Sequence, residues 1–333
     1  RFEHAIEAYQ VVLSSYPSGP YAGEAVKSMQ FSLETLGRSE EANQIADTFI
    51  EGNPQLEVSK ELSFNKAFKF STNKNYSSAI TEFENYLKKY PENDRNAEAL
   101  FYLEKSYAGI NEPVKAEQTM NEILTKFPQS EFAPLALLEF AKMNLEQQNA
   151  LRADSLFNLV QVRFPANNAA AEAGFERAQI TYTRGDTSAA LQLYRDVTVN
   201  FKNNEYADQS RYRIAMYLRA KGLADSARSE FSTLAAREDN PLLAAEAAYR
   251  IGELWLKEKN YPNALAAFKL VSEKFSGVED WYTLSMIGLG ESYEQTADIE
   301  AARDIYKTIV KLRPTDDFGK TAQSRLKRLP KAP

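Results

Sequence analysis

Asn75-Tyr76-Ser77-Ser78-Ala79-Ile80-Thr81-Glu82-Phe83-Glu84-Asn85-Tyr86-Leu87-Lys88-Lys89-Tyr90-Pro91 contains the start, the buried face and the stop of one helix. Ala79, Phe83 and Tyr86 stand at i, i+4 and i+7, which places them on one face of an α-helix. Pro91 closes the segment, because proline cannot continue a helix and turns the residue before it away from the helical region. The pattern is not unique to this stretch. Alanines recur at Ala5, Ala42, Ala79, Ala116, Ala153, Ala190, Ala227 and Ala264, each 37 residues after the last, and Ala302 follows after 38. Four residues after them come Tyr9, Ala46, Phe83, Met120, Phe157, Tyr194, Phe231, Phe268 and Tyr306. Seven after come Val12, Phe49, Tyr86, Ile123, Val160, Val197, Leu234, Val271 and Ile309. Twelve after come Pro17, Pro54, Pro91, Pro128 and Pro165, then Lys202, and at the far end Pro314. Nine alanines in register with correlated neighbours define an internal repeat.

The interval between one proline and the next alanine holds a second amphipathic segment. Its small position, twelve before the alanine, reads Gln30, Ala67, Glu104, Ala141, Ala178, Ala215, Gly252 and Gly290. Large residues flank it in most repeats, as in Leu103 and Tyr107 or Ile251 and Trp255. Turn residues separate the two helices, among them Leu36-Gly37-Arg38, Asn73-Lys74-Asn75, Asn111-Glu112-Pro113, Gly185-Asp186, Lys221-Gly222 and Glu258-Lys259-Asn260. Each unit is helix–turn–helix with an uncovered apolar face, and stacking covers that face.

These residues resemble the tetratricopeptide repeat. Asn75-Tyr76, Ala79, Phe83 and Tyr90-Pro91 carry the likeness, as do Gly252, Trp255, Asn260-Tyr261, Ala264 and Phe268. The family period is about 34 residues; the extra residues here fit loops such as Pro91-Glu92-Asn93-Asp94. Long repeats ending in Tyr-Pro are similar to those of bacterial cell-envelope members of the family. The resemblance implies an all-α, right-handed solenoid with a concave binding face. It also implies a non-enzymatic protein-binding scaffold, located in the periplasm or cell envelope, with the cytoplasm as the alternative. A structural subunit of an outer-membrane assembly is the rival reading, and a glycan-active enzyme the rival from another class.

The grid sets the expected boundaries. Residues 1–17 read as the second helix of a truncated repeat, 18–314 as eight repeats, and 315–333 as a capping helix starting at Asp316 or Asp317. The half-repeat at the start leads to the expectation of a longer, exported chain, with peripheral membrane association through a preceding segment. Pro241 falls two residues late, so the loop from Arg237 to Pro241 is expected to be rearranged.

Composition removes much chemistry. The 333 residues include no Cys and one His, His4, which excludes thiolate metal sites, multi-histidine metal sites and a Cys nucleophile. A net charge of −6 argues against general nucleic-acid binding, which needs clustered Lys and Arg. No apolar run approaches the roughly 18 residues of a membrane helix. Gly288-Leu289-Gly290 lacks the third glycine of a phosphate loop, since Tyr293 stands there, and reads as close helix packing. Glu24, Glu61, Glu98, Glu172 and Glu246 recur eighteen before the alanines and read as first-turn acids favoured by the helix dipole. The end from Arg303 to Lys331 carries nine Lys/Arg against three Asp and reads as the solvated face of a cap. No catalytic residue, cofactor or metal is implied.

One register bears on partners. Fifteen before the alanines stand Lys27, Phe64, Phe101, Leu138, Phe175, Tyr212, Tyr249 and Ile287. In the resembling family this register faces the concave side, where members that clamp a C-terminal carboxylate carry Lys and Asn. Here Phe64, Phe101, Leu138, Phe175, Tyr212 and Tyr249 form a stripe instead. Two readings stay open. The stripe lines a groove for a protein or peptide segment with apolar anchors, or it packs against the second helices as core.

Overall fold

The computed structural model describes residues 1–330, so Lys331, Ala332 and Pro333 of the expected cap and basic end lie outside the described residues. The helices of the first half are α1 (Phe2–Ser15), α2 (Ala22–Thr35), α3 (Ser39–Gly52), α4 (Glu57–Thr72), α5 (Tyr76–Lys89), α6 (Asn96–Gly109), α7 (Pro113–Lys126), α8 (Phe132–Glu146) and α9 (Ala150–Arg163). Those of the second are α10 (Asn168–Thr183), α11 (Thr187–Asn200), α12 (Glu205–Ala220), α13 (Ala224–Ala235), α14 (Pro241–Lys257), α15 (Tyr261–Lys274), α16 (Glu279–Gln295), α17 (Ile299–Leu312) and α18 (Asp317–Arg328). The described residues thus form 18 helices and no strand, an all-α repeat fold. The chain divides into two compact units, Arg1–Ala173 and Gly174 onward, the division falling inside α10.

Size complementarity between the two helices of each repeat holds the fold together. Ala42, Ala79, Ala116, Ala153, Ala190, Ala227, Ala264 and Ala302 are fully buried. So are the rings of Phe83, Phe157, Phe231 and Tyr306, each worth about 1.5–3 kcal/mol of burial. Each ring needs a small partner on the first helix of its repeat, sixteen residues earlier. A Cβ on Gly252 would lie 2.4 Å from Phe268, and one on Gly290 would lie 2.5 Å from Tyr306. Gly288, from the next first helix, closes on Phe268 from its other side, where a Cβ would lie 2.5 Å away. The glycine pair of Gly288-Leu289-Gly290 is therefore packing, as its sequence context indicates. Two pairs depart from the pattern together: Glu104 faces a register occupied by Met120, and Gln30 one occupied by Ala46. Where the first helix carries a longer side chain, the second carries less bulk.

The turns keep the same period. Gly37, Lys74, Asn111, Gln148, Gly185, Gly222, Lys259 and Ala297 all take φ between +59° and +90°. One left-handed residue per repeat reverses the chain, and five of the eight are not glycine. Helix stops are regular too. Tyr16, Asn53, Tyr90, Phe127 and Phe164 cap the second helices with φ between −128° and −139°. Phe201 and Phe275 do the same at −130° and −123°, although Lys202 and Ser276 follow them. Proline reinforces this stop but does not create it.

Pro241 is not a late terminator: it opens α14 as its first residue, behind Asn240, whose side chain accepts from the Leu243 N–H at 3.2 Å. The preceding α13 is two residues shorter than the neighbouring second helices. Arg237 holds the loop by bonds to Asp208 at 3.0 Å and Asp239 at 2.8 Å. The cap starts where expected, with Asp316 accepting from the Gly319 N–H at 3.0 Å.

Candidate functional site

The six stripe residues do not form an open wall. Phe64, Phe101, Leu138 and Phe175 are buried, and Phe64 is 0% exposed; Tyr212 and Tyr249 are half-buried. The cause is again spacing. Nineteen residues after a stripe position comes the ring of the second helix in the same repeat. Phe64 packs on Phe83 with centroids 5.8 Å apart, Phe175 on Tyr194 at 5.7 Å, Tyr212 on Phe231 at 6.0 Å and Tyr249 on Phe268 at 5.7 Å. The stripe also reaches the start of the next first helix, in Phe101–Phe132 at 5.6 Å and Tyr249–Trp281 at 5.4 Å. Phe64, Phe101, Leu138 and Phe175 are thus packed as core, whereas Tyr212 and Tyr249 keep part of their surface exposed.

The side chains left free on the first helices lie four residues further on and at neighbouring positions. They form a ladder of ion pairs between successive first helices, with partners 34 residues apart. Lys27 meets Glu61 at 2.5 Å, Lys105 meets Glu139 at 3.9 Å, and Arg219 meets Glu253 at 3.3 Å. Arg325 of the cap meets Glu291 in the same relation. Tyr212 donates to Glu246 at 2.6 Å across the same interval, and burial pushes the phenol up. Arg250 then bridges Glu246 and Glu253, at 3.1 and 2.8 Å.

This ladder revises the reading of the periodic acids. Glu24 and Glu98 do sit in first turns. Glu61, Glu172 and Glu246 do not, because α4, α10 and α14 begin several residues earlier than expected. Their partners are Lys27, Lys142 at 3.1 Å, and Arg250 with Tyr212. Of the basic end, Arg313 is paired with Asp280 and Asp316, Lys307 with Asp304, Lys320 with Asp317, and Arg325 with Glu291 and Glu294. His4 is exposed at the start of α1. Among the described residues no group of three or more His, Asp and Glu is placed to hold a metal, and no helix is long and apolar enough to cross a membrane.

Two clefts open at the same register of the repeat, one in each unit. The cleft of the first unit, about 270 Å³, lies between α2 and α4 over α3. Lys27, Lys66 and Lys69 line it, and each is neutralised: by Glu61, by Asp47 and Glu82, and by Glu34. Ala46, at the ring position of α3, lines its floor. The cleft of the second unit, about 180 Å³, lies between α10 and α12 over α11. Gln179, Tyr182, Tyr194, Arg213, Met216 and Tyr217 line it. Tyr194 donates to the Gln179 side-chain oxygen at 3.4 Å, and burial pushes the Tyr194 phenol up to about 12, against the opposing field of Arg213. Tyr182 is 52% exposed.

With this geometry the helical pairs are those of a defined class. The family model for the tetratricopeptide repeat matches residues 212–277 and a second model of the same name matches 285–316. Residues 212–277 and 285–316 are tetratricopeptide repeats, and the helical pairs before them keep the same period. Among solved structures it is similar to the C-terminal part of a TPR repeat-containing protein from Cytophaga hutchinsonii, at 15% identity and a TM-score of 0.53. That match covers 78% of this chain and 98% of the other. It is also similar to the apo form of RapI, at 16% identity and a TM-score of 0.52, covering 80% of each chain. At these identities the likeness shows the fold. No curated protein sequence matches the chain. Tetratricopeptide repeats generally mediate protein–protein interaction and act as non-catalytic scaffolds.

Proposed function

We propose that this protein is a non-enzymatic scaffold that binds protein segments along the face of its first helices. The observation that carries the reading is the division of labour within each repeat. One set of positions is consumed by packing, whereas the clefts between first helices keep exposed aromatic and polar side chains, among them Phe31 at 65% exposure and Tyr182. Aromatic surface of that kind, flanked by polar groups, suits a peptide bearing apolar anchors. The likeness of the long repeats to cell-envelope members of the family supports a periplasmic setting.

Cross-linking of native complexes followed by mass spectrometry tests both parts. Cross-links to a partner are expected from first-helix lysines such as Lys69, Lys105 and Lys142. Cross-links confined to second-helix lysines, such as Lys88 and Lys126, overturn the proposed face. Recovery of the native protein from the cytoplasm alone overturns the location.

A further inference from the structure

At one register of the ladder, Lys105, Lys142, Arg250 and Arg325 each meet a glutamate, and among the described residues Arg213 does not. At 105/139 the pair is Lys and Glu, and at 291/325 it is Glu and Arg. At the same register, 179/213, the pair is Gln and Arg. Arg213 is exposed, lines the cleft of the second unit, and forms no ion pair among the described residues. The residue one repeat further along in this relation, Ala247, offers it no charge either. Gln179 has its side-chain oxygen engaged by Tyr194, which leaves its NH2 as a donor. Tyr182, Tyr217 and Met216 complete a cleft of hydrogen-bond donors and apolar surface.

A free guanidinium beside an amide donor recognises a carboxylate, and a charge-assisted bond of this kind is about twice as strong as a neutral one. For the other basic residues at this register the matching carboxylate is a glutamate side chain of the chain itself. We infer that the missing acid at the 179/213 rung is supplied in trans, by an Asp or Glu side chain within a bound peptide whose apolar neighbour rests on Tyr182, Tyr217 and Met216. This inference rests on the scaffold reading and specifies one of its contacts.

The test uses the full chain and three nonapeptides carrying an uncharged dye, read by fluorescence anisotropy. The first is blocked at both ends and has one central Glu between Leu and Tyr. The second has Gln at that position. The third is the Gln peptide with a free C-terminal carboxylate. The Glu peptide is expected to bind about tenfold more tightly than the blocked Gln peptide. Arg213→Gln should bring that ratio to about one while leaving the melting temperature unchanged. Gln179→Glu should do the same by completing the rung within the chain, and Arg213→Lys should keep part of the preference. Equal binding of the Glu and Gln peptides overturns the inference and leaves the scaffold reading standing. Binding of the free-carboxylate peptide alone overturns it in favour of terminal capture. A Glu preference that survives Arg213→Gln, or no binding of any peptide, overturns it as well.

Discussion

The two clefts occupy one register of the repeat, four repeats apart, and no equivalent lining position carries the same residue in both. Asn65 of the first corresponds to Arg213 of the second, Glu34 to Tyr182, and Lys69 to Tyr217. In the first unit every lining lysine has an acid within 3.0 Å. In the second, the one arginine has none among the described residues, and tyrosines replace the charges. The packing positions beneath show the opposite behaviour: Ala42 and Ala190 are buried alike. The backbone register is thus set by small and large residues at a few positions, and those positions carry no information about partners. The positions that packing leaves free vary, so two clefts with the same scaffold present different chemistry.

The largest expected effect tests the shared part. Ala153 in the first unit and Ala190 in the second occupy equivalent, fully buried positions. Ala153→Phe and Ala190→Phe should each lower stability by about 3 kcal/mol through overpacking. Urea denaturation gives the midpoints. An unchanged midpoint for either would show that the repeat does not pack at that alanine.

The next effect tests the one charged residue at a small position. Glu104 in α6 is 2% exposed, and one of its oxygens has no hydrogen-bond partner among the described residues. The equivalent residue of the second unit, Gly252, simply admits a ring. Burial, reinforced by Glu139 and opposed by Lys105, holds the Glu104 carboxyl well above the ordinary carboxylate range. A carboxyl raised on folding favours the folded state in acid and loses that contribution as pH climbs above its unfolded value of 4.5. Glu104→Gln does not titrate, so its stability relative to the parent should rise by about 1–2 kcal/mol between pH 4 and pH 8. Thermal melts across that range provide the check, and parallel curves would mean that Glu104 ionises freely in the folded chain.

How much of this was legible follows the same division. The alanine recurs nine times, with a ring four residues on in seven repeats and a proline twelve on in six, so these packing constraints stand out of a single sequence. Turn positions were legible where Gly37, Gly185 and Gly222 mark them, and also at Lys74, Asn111 and Lys259 through their neighbours. Gln148 and Ala297 were missed because neither type announces a left-handed backbone. The aromatic stripe was ambiguous because Phe64 or Phe175 looks the same whether its ring meets solvent or a second-helix ring nineteen residues on. The ion-pair ladder left a signal that went unread. Lys27/Glu61, Lys105/Glu139, Arg219/Glu253 and Glu291/Arg325 are opposite charges 34 apart, three short of the period. That offset has meaning only once successive first helices are known to face each other.

A smaller effect comes from the turns. Ala297 in the second unit holds φ = 60° and is exposed, where Gly37 in the first holds 77° without strain. A left-handed non-glycine residue costs about 1–2 kcal/mol, of which the greater chain entropy of unfolded glycine returns part. Ala297→Gly should therefore raise stability by about 0.5–1 kcal/mol, and Gly37→Ala should lower it by a similar amount. Differential scanning calorimetry on the two variants resolves such a change. A loss on Ala297→Gly would mean that the turn is held by something other than its backbone conformation.

The smallest effect returns to the clefts. Lys69 pairs with Glu34 at 2.6 Å, and both side chains keep more than a third of their surface in water. Solvent screening holds such a pair to about 0.5 kcal/mol, so Lys69→Ala should cost no more than that. Arg213 has no acid to lose, and Arg213→Ala should leave stability unchanged in low salt. Raising the ionic strength shortens the screening length and should erase the deficit of the Lys69 variant, leaving both variants level with the parent. If the Arg213 variant instead lost stability in low salt and regained it in high salt, the guanidinium would have an anionic partner within its own chain. The contrast between a neutralised cleft and an open one would then collapse, together with the reason to look for an acidic side chain on a partner.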